Sequence, residues 1–455
     1  MCGITAVFSK NENIFQDLYE SLYHLQHRGQ DTFGFSYLND NNIELIKENG
    51  LLSNHNFDSI NTNVGIGHVR YPTTGQNTIN ECQPLFLKGK YHNISLVHNG
   101  QINKEKLLNY FHENNILLNS SATSDSILLL HFLSHLLNKY EIINDDIIKN
   151  IIHSFHTDFN TYIHGSYNCI CLINTYGLVC FKDKYSIRPL IYGKKDNNYI
   201  ITSESIAITS INYEIVSDLY SSDIIIFNRD SFRNIKLPTN TFKPCIFEWI
   251  YLAREESIIY NVNVNQARMK MGEYLAHNIQ QSIDTDLIDC IVPIPDTSKP
   301  VALEISKHLN IPYYEAITKN RYVNRTFIMD SQLKRKKNIK RKLNVINHLI
   351  ENKNVLIVDD SIVRGNTIKY IVDLLKDNNV NDIYIAICSP EIVNKNEYGI
   401  DISSQEELLC FNKTNAEIES FLNIKKIIFQ NLSDLKKSIN HFQNIPDFET
   451  SIFNT

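Results

Sequence analysis

The pattern of apolar residues changes near residue 240, and this change constrains the fold more than any other feature of the sequence. Before it, short apolar runs typical of strands outnumber helical segments, and they lie at 2–8, 64–69, 94–98, 168–173, 177–182 and 199–202. Many short strands with few helices are typical of antiparallel sheets packed in layers. We therefore predict an α+β domain in the first half of the chain.

Beyond residue 240, apolar strands alternate with helical segments, in the order 287–292, 301–309, 354–358, 367–375 and 382–386. This alternation predicts an α/β domain whose parallel sheet is connected by right-handed crossovers. We place one domain at 2–235 and a second at 245–455, which ends in a helical tail that begins at about residue 403 and becomes irregular further on. The segment 237–244, which contains two prolines, is interpreted as the connector.

The composition excludes several classes of protein. Of the 455 residues, 43% are hydrophobic and 21% are charged, and the net charge of −6 provides no basic excess for binding nucleic acid. The longest apolar stretch, 127–137, is far shorter than the roughly 20 residues of a membrane span, and it predicts a buried amphipathic helix. No signal peptide is visible, and nine cysteines lack paired spacing. We expect a cytoplasmic protein with neither a nucleic acid nor a membrane as its partner.

Cys2 is the first residue whose position suggests chemistry. Removal of Met1, which small side chains at the second position normally permit, would place a thiol and a free α-amine on Cys2. An α-amine with a pKa of about 7.7–8 is partly neutral at working pH, so it can act as the base for the thiol of the same residue. A cysteine in this position is ordinary by itself, and the interpretation depends on the motifs that accompany it.

Four motifs follow Cys2 in the first half of the chain: HRGQD at 27–31, GIGHVRYPTTG at 65–75, HNGQI at 98–102 and TSDS at 123–126. Together they resemble the glutaminase domain of class II glutamine amidotransferases over about residues 2–230. The resemblance implies an N-terminal-nucleophile fold with αββα layers. It also implies that the Cys2 thiolate attacks the carboxamide of glutamine and releases ammonia.

The same resemblance assigns roles to four further residues. Asn99 and Gly100 would donate hydrogen bonds to the oxyanion, Arg70 would bind the α-carboxylate of glutamine, and Asp125 would bind its α-ammonium group. The alternatives are that Arg70 is a surface ion-pair residue and that Asn99 is a turn residue, since Asn-Gly favours tight hairpins. A Cys–His dyad is a third alternative, but the terminal amine already supplies a base. We therefore expect structural roles for the nearby histidines His27, His68 and His98.

A second constellation begins with the apolar strand at 354–358 and continues as DDSIVRGNT at 359–367. Ligands bind at the carboxyl ends of strands in a parallel sheet, so Asp359 and Asp360 are placed to hold ribose hydroxyls and a Mg²⁺ ion. The backbone N–H groups that follow, at the start of a helix, can hold a phosphate. This run resembles the signature of type I phosphoribosyltransferases, which bind phosphoribosyl pyrophosphate (PRPP).

The resemblance extends the predicted PRPP site beyond the acidic pair. It implies that the loop IVPIPDTS at 291–298 meets the pyrophosphate, with Ser298 as a metal ligand beside Asp359 and Asp360. The basic run at 334–342 is similar to the flexible loop that closes over PRPP in this family. The residues that we predict to bind PRPP are Asp359, Asp360, Ser361, Arg364, Gly365, Asn366, Thr367, Arg325 and Lys319.

The combination of the two halves resembles the amidophosphoribosyltransferase family over nearly the whole chain. This resemblance implies that ammonia released at Cys2 displaces pyrophosphate from C1 of PRPP, giving 5-phosphoribosylamine in the first step of purine synthesis. It also implies Mg²⁺ as cofactor, purine nucleotides as inhibitors, and a homo-oligomer that is a tetramer or a dimer. Two alternatives stay open: a different class II amidotransferase such as a glucosamine-6-phosphate synthase, and an inactive homologue that senses PRPP.

One subgroup of this family carries a propeptide and a [4Fe–4S] cluster, which needs four thiolates. Cys245 lies in a stretch where that subgroup has a ligand, but no propeptide precedes Cys2. The expected later ligands are missing as well, since Asn396 precedes EYGID at 397–401 and no C-x-x-C follows Phe448. We therefore predict the form without an iron–sulfur cluster.

Overall fold

The computed structural model describes residues 2–55, 57, 60–71, 79–116, 118, 124–228, 231–238, 241–320, 343–402 and 404–453. The chain divides into two compact units. The first unit comprises Met1–Cys245 together with Glu397–Asp401, and the second comprises Ile246–Asn396 together with Ile402–Thr455. Each unit has its own sheets and its own buried core.

The described strands of the first unit form two antiparallel sheets. Their bounds are β1 Gly3–Phe8, β2 Thr32–Asn39, β3 Asn42–Asn49, β4 Val64–Arg70, β5 Leu85–Leu87, β6 Ile94–Ile102, β7 Gly165–Ile173, β8 Gly177–Lys182, β9 Ile191–Lys195, β10 Asn198–Thr202, β11 Glu214–Asp218, β12 Asp223–Asn228 and β13 Ser231–Lys236. The seven-stranded sheet has the order β11-β9-β10-β1-β4-β2-β3. The six-stranded sheet has the order β13-β12-β8-β7-β6-β5.

Helices cover the outer faces of these two sheets. Their bounds are α1 Phe15–Tyr23, α2 Lys104–Glu113, α3 Asp125–Leu137, α4 Asp145–His156 and α5 Ile206–Thr209. Because side chains alternate along a strand, Ile4 of β1 packs between the two sheets while Val7 packs against α1 and α5. The outer face of the six-stranded sheet packs against α2, α3 and α4. The resulting helix–sheet–sheet–helix order is the αββα arrangement predicted from the sequence.

The apolar stretch at 127–137 forms most of α3. Ser124 begins this helix, since its hydroxyl accepts a hydrogen bond from the backbone N–H of Ile127 (3.4 Å). Eleven of the thirteen residues of α3 are buried. The helix is therefore buried as predicted, but the prediction that it is amphipathic is wrong. The reason is its position between the six-stranded sheet and its neighbouring helices. Among the described residues, no helix combines the length and apolar character needed to cross a membrane.

The second unit contains a four-stranded parallel sheet with the order β16-β19-β20-β21. The strand bounds in this unit are β14 Ile258–Ile259, β15 Val262–Asn263, β16 Cys290–Pro293, β17 Ile317–Lys319, β18 Leu343–Val345, β19 Val355–Asp359, β20 Ile383–Ile387 and β21 Lys426–Phe429. The helix bounds are α6 Val264–Ser282, α7 Lys299–Leu309, α8 Asn366–Lys376, α9 Asn415–Leu422 and α10 Leu432–Asn440. The mixed α+β and α/β class is therefore confirmed.

The parallel sheet is apolar on both faces because helices cover both of them. Val358 packs on one face with residues of α6 and α7. Ile357 packs on the other face with residues of α8 and α9. The prediction of an irregular tail is also wrong, because Lys426–Phe429 forms the fourth strand of this sheet. An apolar run of only three residues, Ile427 to Phe429, does not distinguish a strand from a loop.

A short segment from the second half of the chain, Glu397–Asp401, belongs to the first unit. The carbonyl oxygen of Tyr398 accepts hydrogen bonds from Oγ of Ser166 (2.8 Å) and from Nη2 of Arg188 (2.6 Å). A Cβ atom placed on Gly399 would lie 3.2 Å from the carbonyl carbon of Gly100. This segment therefore packs beside one of the residues predicted to bind the oxyanion.

Candidate active site

The position of Cys2 follows from the pairing of β1 within the seven-stranded sheet. Gly3 pairs with Val69, so Cys2 lies next to the end of β4. The thiol of Cys2 lies 3.8 Å from the carbonyl oxygen of Tyr71, and its backbone nitrogen donates to Oδ1 of Asn99 (3.4 Å). The predicted nucleophile therefore contacts both sheets of the first unit, at the residue that follows β4 and at Asn99 within β6.

Asn99 and Gly100 lie on β6, opposite Asn168 and Tyr167 of β7. Asn99 is 1% exposed, and its Nδ2 group has no hydrogen-bond partner among the described residues. A buried amide donor without a partner is rare in native proteins and calls for an explanation. A Cβ atom on Gly100 would lie 2.1 Å from the carbonyl oxygen of Ser166, so the two strands approach too closely for any side chain at this position.

The two residues predicted to recognise the ends of glutamine are also buried. Arg70 is the last residue of β4 and is 5% exposed, and its Nη1 group has no partner among the described residues. Its Nη2 group donates to Glu81 at 2.8 Å. Asp125, the first residue of α3, accepts hydrogen bonds from the backbone N–H groups of Ile102 and Ser126, each at 2.9 Å.

Glu81 and the segment that follows it were not predicted from the sequence, although they contact several of these residues. The backbone N–H of His98 donates to Oε1 of Gln83 (2.6 Å), and Nε2 of Gln83 donates to Oγ of Ser126 (3.1 Å). This segment therefore connects Arg70, the strand of Asn99 and the start of α3. No motif marked it, because the contacts join residues that are far apart in sequence.

Of the three histidines that could have formed a dyad with Cys2, His27 and His98 have hydrogen-bond partners elsewhere, and the buried ring of His68 has none among the described residues. Nε2 of His27 lies 2.7 Å from Oε1 of Glu204, and Nδ1 of His98 lies 2.8 Å from Oγ of Ser126. Burial lowers the pKa of His98, an effect that the nearby Asp125 partly opposes. Burial, together with the charge of Arg70, holds the pKa of His68 well below its usual value. The rings of His68 and His98 are therefore buried and neutral, whereas the ring of His27 is partly exposed and contacts Glu204.

In the second unit, Asp359 ends β19 and Asp360 follows it. Both are buried, and burial raises the pKa of each carboxyl. The neighbouring charge of Asp360 raises the pKa of Asp359 further. Asp360 accepts hydrogen bonds from the hydroxyls of Ser361 (2.5 Å) and Thr297. Two buried carboxylates of like charge at the end of a parallel strand form a site suited to a cation or to sugar hydroxyls.

The turn after the acidic pair leads into α8. Gly365 has a φ of +76°, which favours glycine, and a Cβ atom there would lie 2.9 Å from Cδ2 of Leu409. Asn366 and Thr367 begin α8 and are exposed. The exposed side chain of Arg364 donates to Glu407 (2.7 Å). The turn therefore presents the start of a helix, with its free N–H groups, next to Asp360.

The remaining predicted PRPP-site residues differ in how closely they approach the acidic pair. The hydroxyl of Ser298 is fully buried and donates to the carbonyl oxygen of Ile294 (2.5 Å), whereas its neighbour Thr297 contacts Asp360. Nζ of Lys319, at the end of β17, lies 3.2 Å from Oδ2 of Asp296, which is in the same loop as Ser298. No role was predicted for Thr297 from the sequence, although it lies in the predicted loop at 291–298. Arg325 and the basic run at 334–342 lie outside the described residues.

The donor set at the end of β19 fits Mg²⁺. Carboxylate oxygens come from Asp359 and Asp360, and hydroxyl oxygens come from Ser361 and Thr297. Within the described part of the chain, no group of three or more His, Cys, Asp or Glu side chains forms a metal cluster. A sparse oxygen site suits Mg²⁺, which usually keeps its waters and binds through one or two carboxylates together with substrate phosphates.

The sequence matches known proteins over its whole length. Residues 261–405 match the family described as phosphoribosyl transferase domain. The chain is 38% identical over 475 residues to the amidophosphoribosyltransferase of Pasteurella multocida, with 100% of this chain and 92% of that protein covered. Identity to the amidophosphoribosyltransferase of Escherichia coli is 37% over 472 residues, with the same coverage of both chains.

Solved structures agree with these sequence relatives. The glutamine PRPP amidotransferase of B. subtilis, complexed with ADP and GMP, aligns with a TM-score of 0.84 at 28% identity and covers 98% of this chain and 94% of its own. A structure described as the allosteric regulatory enzyme of purine biosynthesis aligns with the same TM-score and identity over 96% of this chain. The likeness extends over both units.

Proposed function

The chain belongs to the amidophosphoribosyltransferase family, and from this premise we propose how its residues carry out the two halves of the reaction. The enzyme is a pentosyltransferase that catalyses the first step of purine biosynthesis. Glutamine, PRPP and water are converted to glutamate, 5-phosphoribosylamine and pyrophosphate. We assign glutamine hydrolysis to the first unit and transfer to PRPP to the second.

In the first half-reaction, the α-amine that Cys2 gains on removal of Met1 takes the proton of its own thiol. The thiolate attacks the carboxamide carbon, and the negative charge develops on the former carbonyl oxygen. The side-chain amide of Asn99 and the backbone N–H of Gly100 donate to that oxygen. The observation that carries this assignment is the Nδ2 group of Asn99, which is buried and has no partner among the described residues. The Oδ1 atom of the same side chain lies at hydrogen-bond distance from the backbone nitrogen of Cys2, so the unpaired donor is close to the nucleophile.

Collapse of the tetrahedral species breaks the C–N bond and releases ammonia, which takes up the proton held by the amine. The thioester on Cys2 is then hydrolysed by water to glutamate. Arg70 binds the α-carboxylate of glutamine and Asp125 binds its α-ammonium group. Both side chains are buried and held in place by hydrogen bonds, so the substrate meets groups that are already oriented.

In the second half-reaction, Asp359 and Asp360 hold the ribose hydroxyls of PRPP, and the turn at 361–367 holds its 5′-phosphate at the start of α8. Asp359, Asp360 and the hydroxyl of Thr297 would hold Mg²⁺, because Thr297 contacts Asp360 whereas the predicted ligand Ser298 donates to Ile294. When bound, Mg²⁺ would neutralise charge on the pyrophosphate. Lys319 and Arg325 supply positive charge to the same leaving group. Ammonia displaces pyrophosphate from C1, and a positioned ribose lowers the entropy loss of that step.

We extend the proposal to cofactor, partners and location. Mg²⁺ is the cofactor, and the form is the one without an iron–sulfur cluster, because the later cysteine positions of the cluster-bearing subgroup are absent from the sequence. Purine nucleotides inhibit the enzyme, as the ADP and GMP in the B. subtilis complex suggest. We place a homo-oligomer, a dimer or a tetramer, in the cytoplasm.

The test is a paired assay of pyrophosphate release with glutamine and with ammonia as the nitrogen source. We expect both sources to support activity in the native enzyme. We expect Cys2→Ala to lose the glutamine-dependent activity and keep the ammonia-dependent activity, because only the first half-reaction needs the thiol. Equal loss of both activities would contradict the division between the two units. Release with neither source in the native enzyme would indicate the inactive, PRPP-sensing homologue instead.

A further inference from the structure

The buried carboxylate of Glu81 has no role in the reaction described above, yet it contacts the residue assigned to the α-carboxylate of glutamine. Oε2 of Glu81 lies 2.8 Å from Nη2 of Arg70, and both side chains are 6% exposed. From this contact we infer that Glu81 is a positioning residue for glutamine, which holds the guanidinium of Arg70 in the orientation that receives the substrate. The inference rests on the proposed role of Arg70.

The geometry of the guanidinium indicates that Glu81 positions Arg70 and does not occupy the donors that the substrate carboxylate needs. Each Nη group carries two N–H donors, and a carboxylate ligand is bound best by two parallel donors. Glu81 contacts Nη2 alone, while Nη1 of Arg70 is buried without a partner among the described residues. Nη1 and the second N–H of Nη2 thus remain for the substrate carboxylate.

Glu81 can act as a fixed support because the residues next to it are anchored. The backbone N–H of Cys82 donates to the carbonyl oxygen of Ile79 (3.2 Å), and Cys82 is fully buried. Gln83 is 5% exposed and bonds to the backbone of His98 and to the hydroxyl of Ser126. A carboxylate tethered to such a segment restricts the long, otherwise mobile side chain of Arg70.

The anchoring also links the two ends of the substrate. Ser126, which accepts the hydrogen bond from Gln83, directly follows Asp125, and its backbone N–H donates to Oδ1 of Asp125 (2.9 Å). The segment 81–83 therefore fixes the position of Arg70 relative to Asp125. That separation must match the distance between the α-carboxylate and α-ammonium groups of a free amino acid, so Glu81 holds the guanidinium where the carboxylate of a substrate bound at Asp125 would lie.

The experiment compares Glu81→Gln and Glu81→Asp with the native enzyme, and it uses Glu44→Gln as a matched control at an exposed position on β3. Glu81→Gln keeps the length of the side chain and removes its charge, whereas Glu81→Asp keeps the charge and withdraws it by about 1.5 Å. We expect both variants to raise KM for glutamine about tenfold, the effect of losing one charge-assisted hydrogen bond. We expect kcat to stay within about threefold of the native value, because the thiol and the oxyanion donors are untouched.

A second measurement separates positioning from a general structural role. L-Glutamate carries the α-carboxylate, and 4-aminobutanamide has the amide and the ammonium group of glutamine without that carboxylate. In Glu81→Gln, the inhibition constant of L-glutamate should rise in parallel with KM, while that of 4-aminobutanamide should stay unchanged. Equal weakening of both inhibitors would show a damaged site and overturn the inference.

Two further results would also overturn it. An unchanged KM would show that Glu81 does not act through Arg70, and a lowered KM would show that its carboxylate competes with the substrate. Arg70→Lys, measured in parallel, distinguishes failure of the inference from failure of the proposed function. If Arg70→Lys leaves KM for glutamine unchanged, the assignment of Arg70 itself is wrong. If it raises KM and neither Glu81 variant does, only the role of Glu81 is wrong.

Discussion

At the scale of single residues, the first unit contains donors that its own fold does not satisfy. Nδ2 of Asn99 and Nη1 of Arg70 are both buried without partners among the described residues. Leaving a buried donor unpaired is destabilising by about 1–3 kcal/mol, so such groups persist where a ligand completes them. Asn99 contacts Cys2 and Arg70 ends the strand that pairs with β1. The donor of Asn99 would bind the amide oxygen of the substrate, and the donor of Arg70 would bind its carboxylate.

This view predicts the behaviour of Asn99→Ala. We expect kcat with glutamine to fall by about 10²–10³, because one oxyanion donor is lost, while KM changes little. Ammonia-dependent activity should be retained, since it does not pass through the oxyanion. Steady-state kinetics with both nitrogen sources provides the measurement.

Asn103→Ala is the matched control for Asn99→Ala. Asn103 is the N-cap residue that precedes α2, and its side chain accepts a hydrogen bond from the backbone N–H of Lys106 (3.2 Å). Loss of this cap should lower the free energy of unfolding by about 1 kcal/mol and leave kcat unchanged. If Asn99→Ala retained kcat within a few-fold of native, Asn99 would be a turn residue and not an oxyanion donor.

At the scale of elements, each candidate site is built where a strand ends. In the first unit, the pairing of β1 with β4 places Cys2 beside the end of β4, where Arg70 lies. In the second unit, β19 ends at Asp359, and a short turn connects it to the start of α8. The turn between β19 and α8 depends on Gly365, whose positive φ disfavours other residues and where a Cβ atom would displace the end of the Leu409 side chain.

We expect Gly365→Ala to affect PRPP binding as well as stability. The left-handed backbone disfavours any other residue by about 1–2 kcal/mol, and displacement of the turn would weaken its contacts with the phosphate. KM for PRPP should rise about tenfold, the effect of losing one charge-assisted hydrogen bond, with either glutamine or ammonia as nitrogen source. The measurement is PRPP saturation with ammonia, which isolates the second half-reaction.

Gly50→Ala is the control for this variant. Gly50 also has a positive φ, +91°, but nothing lies within 4 Å of a Cβ atom placed there. It should lose a similar amount of stability through backbone strain and leave KM for PRPP unchanged. A rise in KM for Gly50→Ala would attribute the effect of Gly365→Ala to general destabilisation.

At the scale of the whole molecule, the described chain joins two units with different buried groups. Burial lowers the pKa of several histidines of the first unit below the usual value of 6.5, among them His68, His98 and His156. These histidines are neutral when folded and take up protons near pH 6.5 when unfolded. Stability is therefore fully present above pH 6.5 and is lost as the pH falls from 6.5 toward the lowered pKa values.

We expect the melting temperature of the first unit to fall as the pH is lowered from 7.5 to 5. Each buried histidine can contribute a slope of up to about 1.4 kcal/mol per pH unit in this window. His156→Gln should reduce the slope, because glutamine can donate to the carbonyl oxygen of Lys182 as His156 does (2.8 Å) but does not titrate. Calorimetry across this pH range provides the test, and an unchanged slope in His156→Gln would contradict it.

Much of the fold and of both sites could be predicted from residues close together in sequence. The strand 355–359, the two aspartates and the helix that follows are contiguous, so periodicity and motif together predicted them correctly. The helix α3 was predicted as amphipathic because a sequence window does not show that a second layer covers its other side. β21 was missed because its apolar run is too short to carry a periodic signal.

The sequence by itself determined the alternation of strands and helices, the terminal thiol, and the residue types of the two motif sets. Only the tertiary structure decided that Glu81 holds Arg70, that Thr297 contacts Asp360, and that Glu397–Asp401 packs with the first unit. Periodicity and motifs depend on neighbours within a few positions along the chain. Ion pairs and unsatisfied donors depend on which side chains the packed layers bring within about 3 Å of each other, and no local pattern encodes that distance.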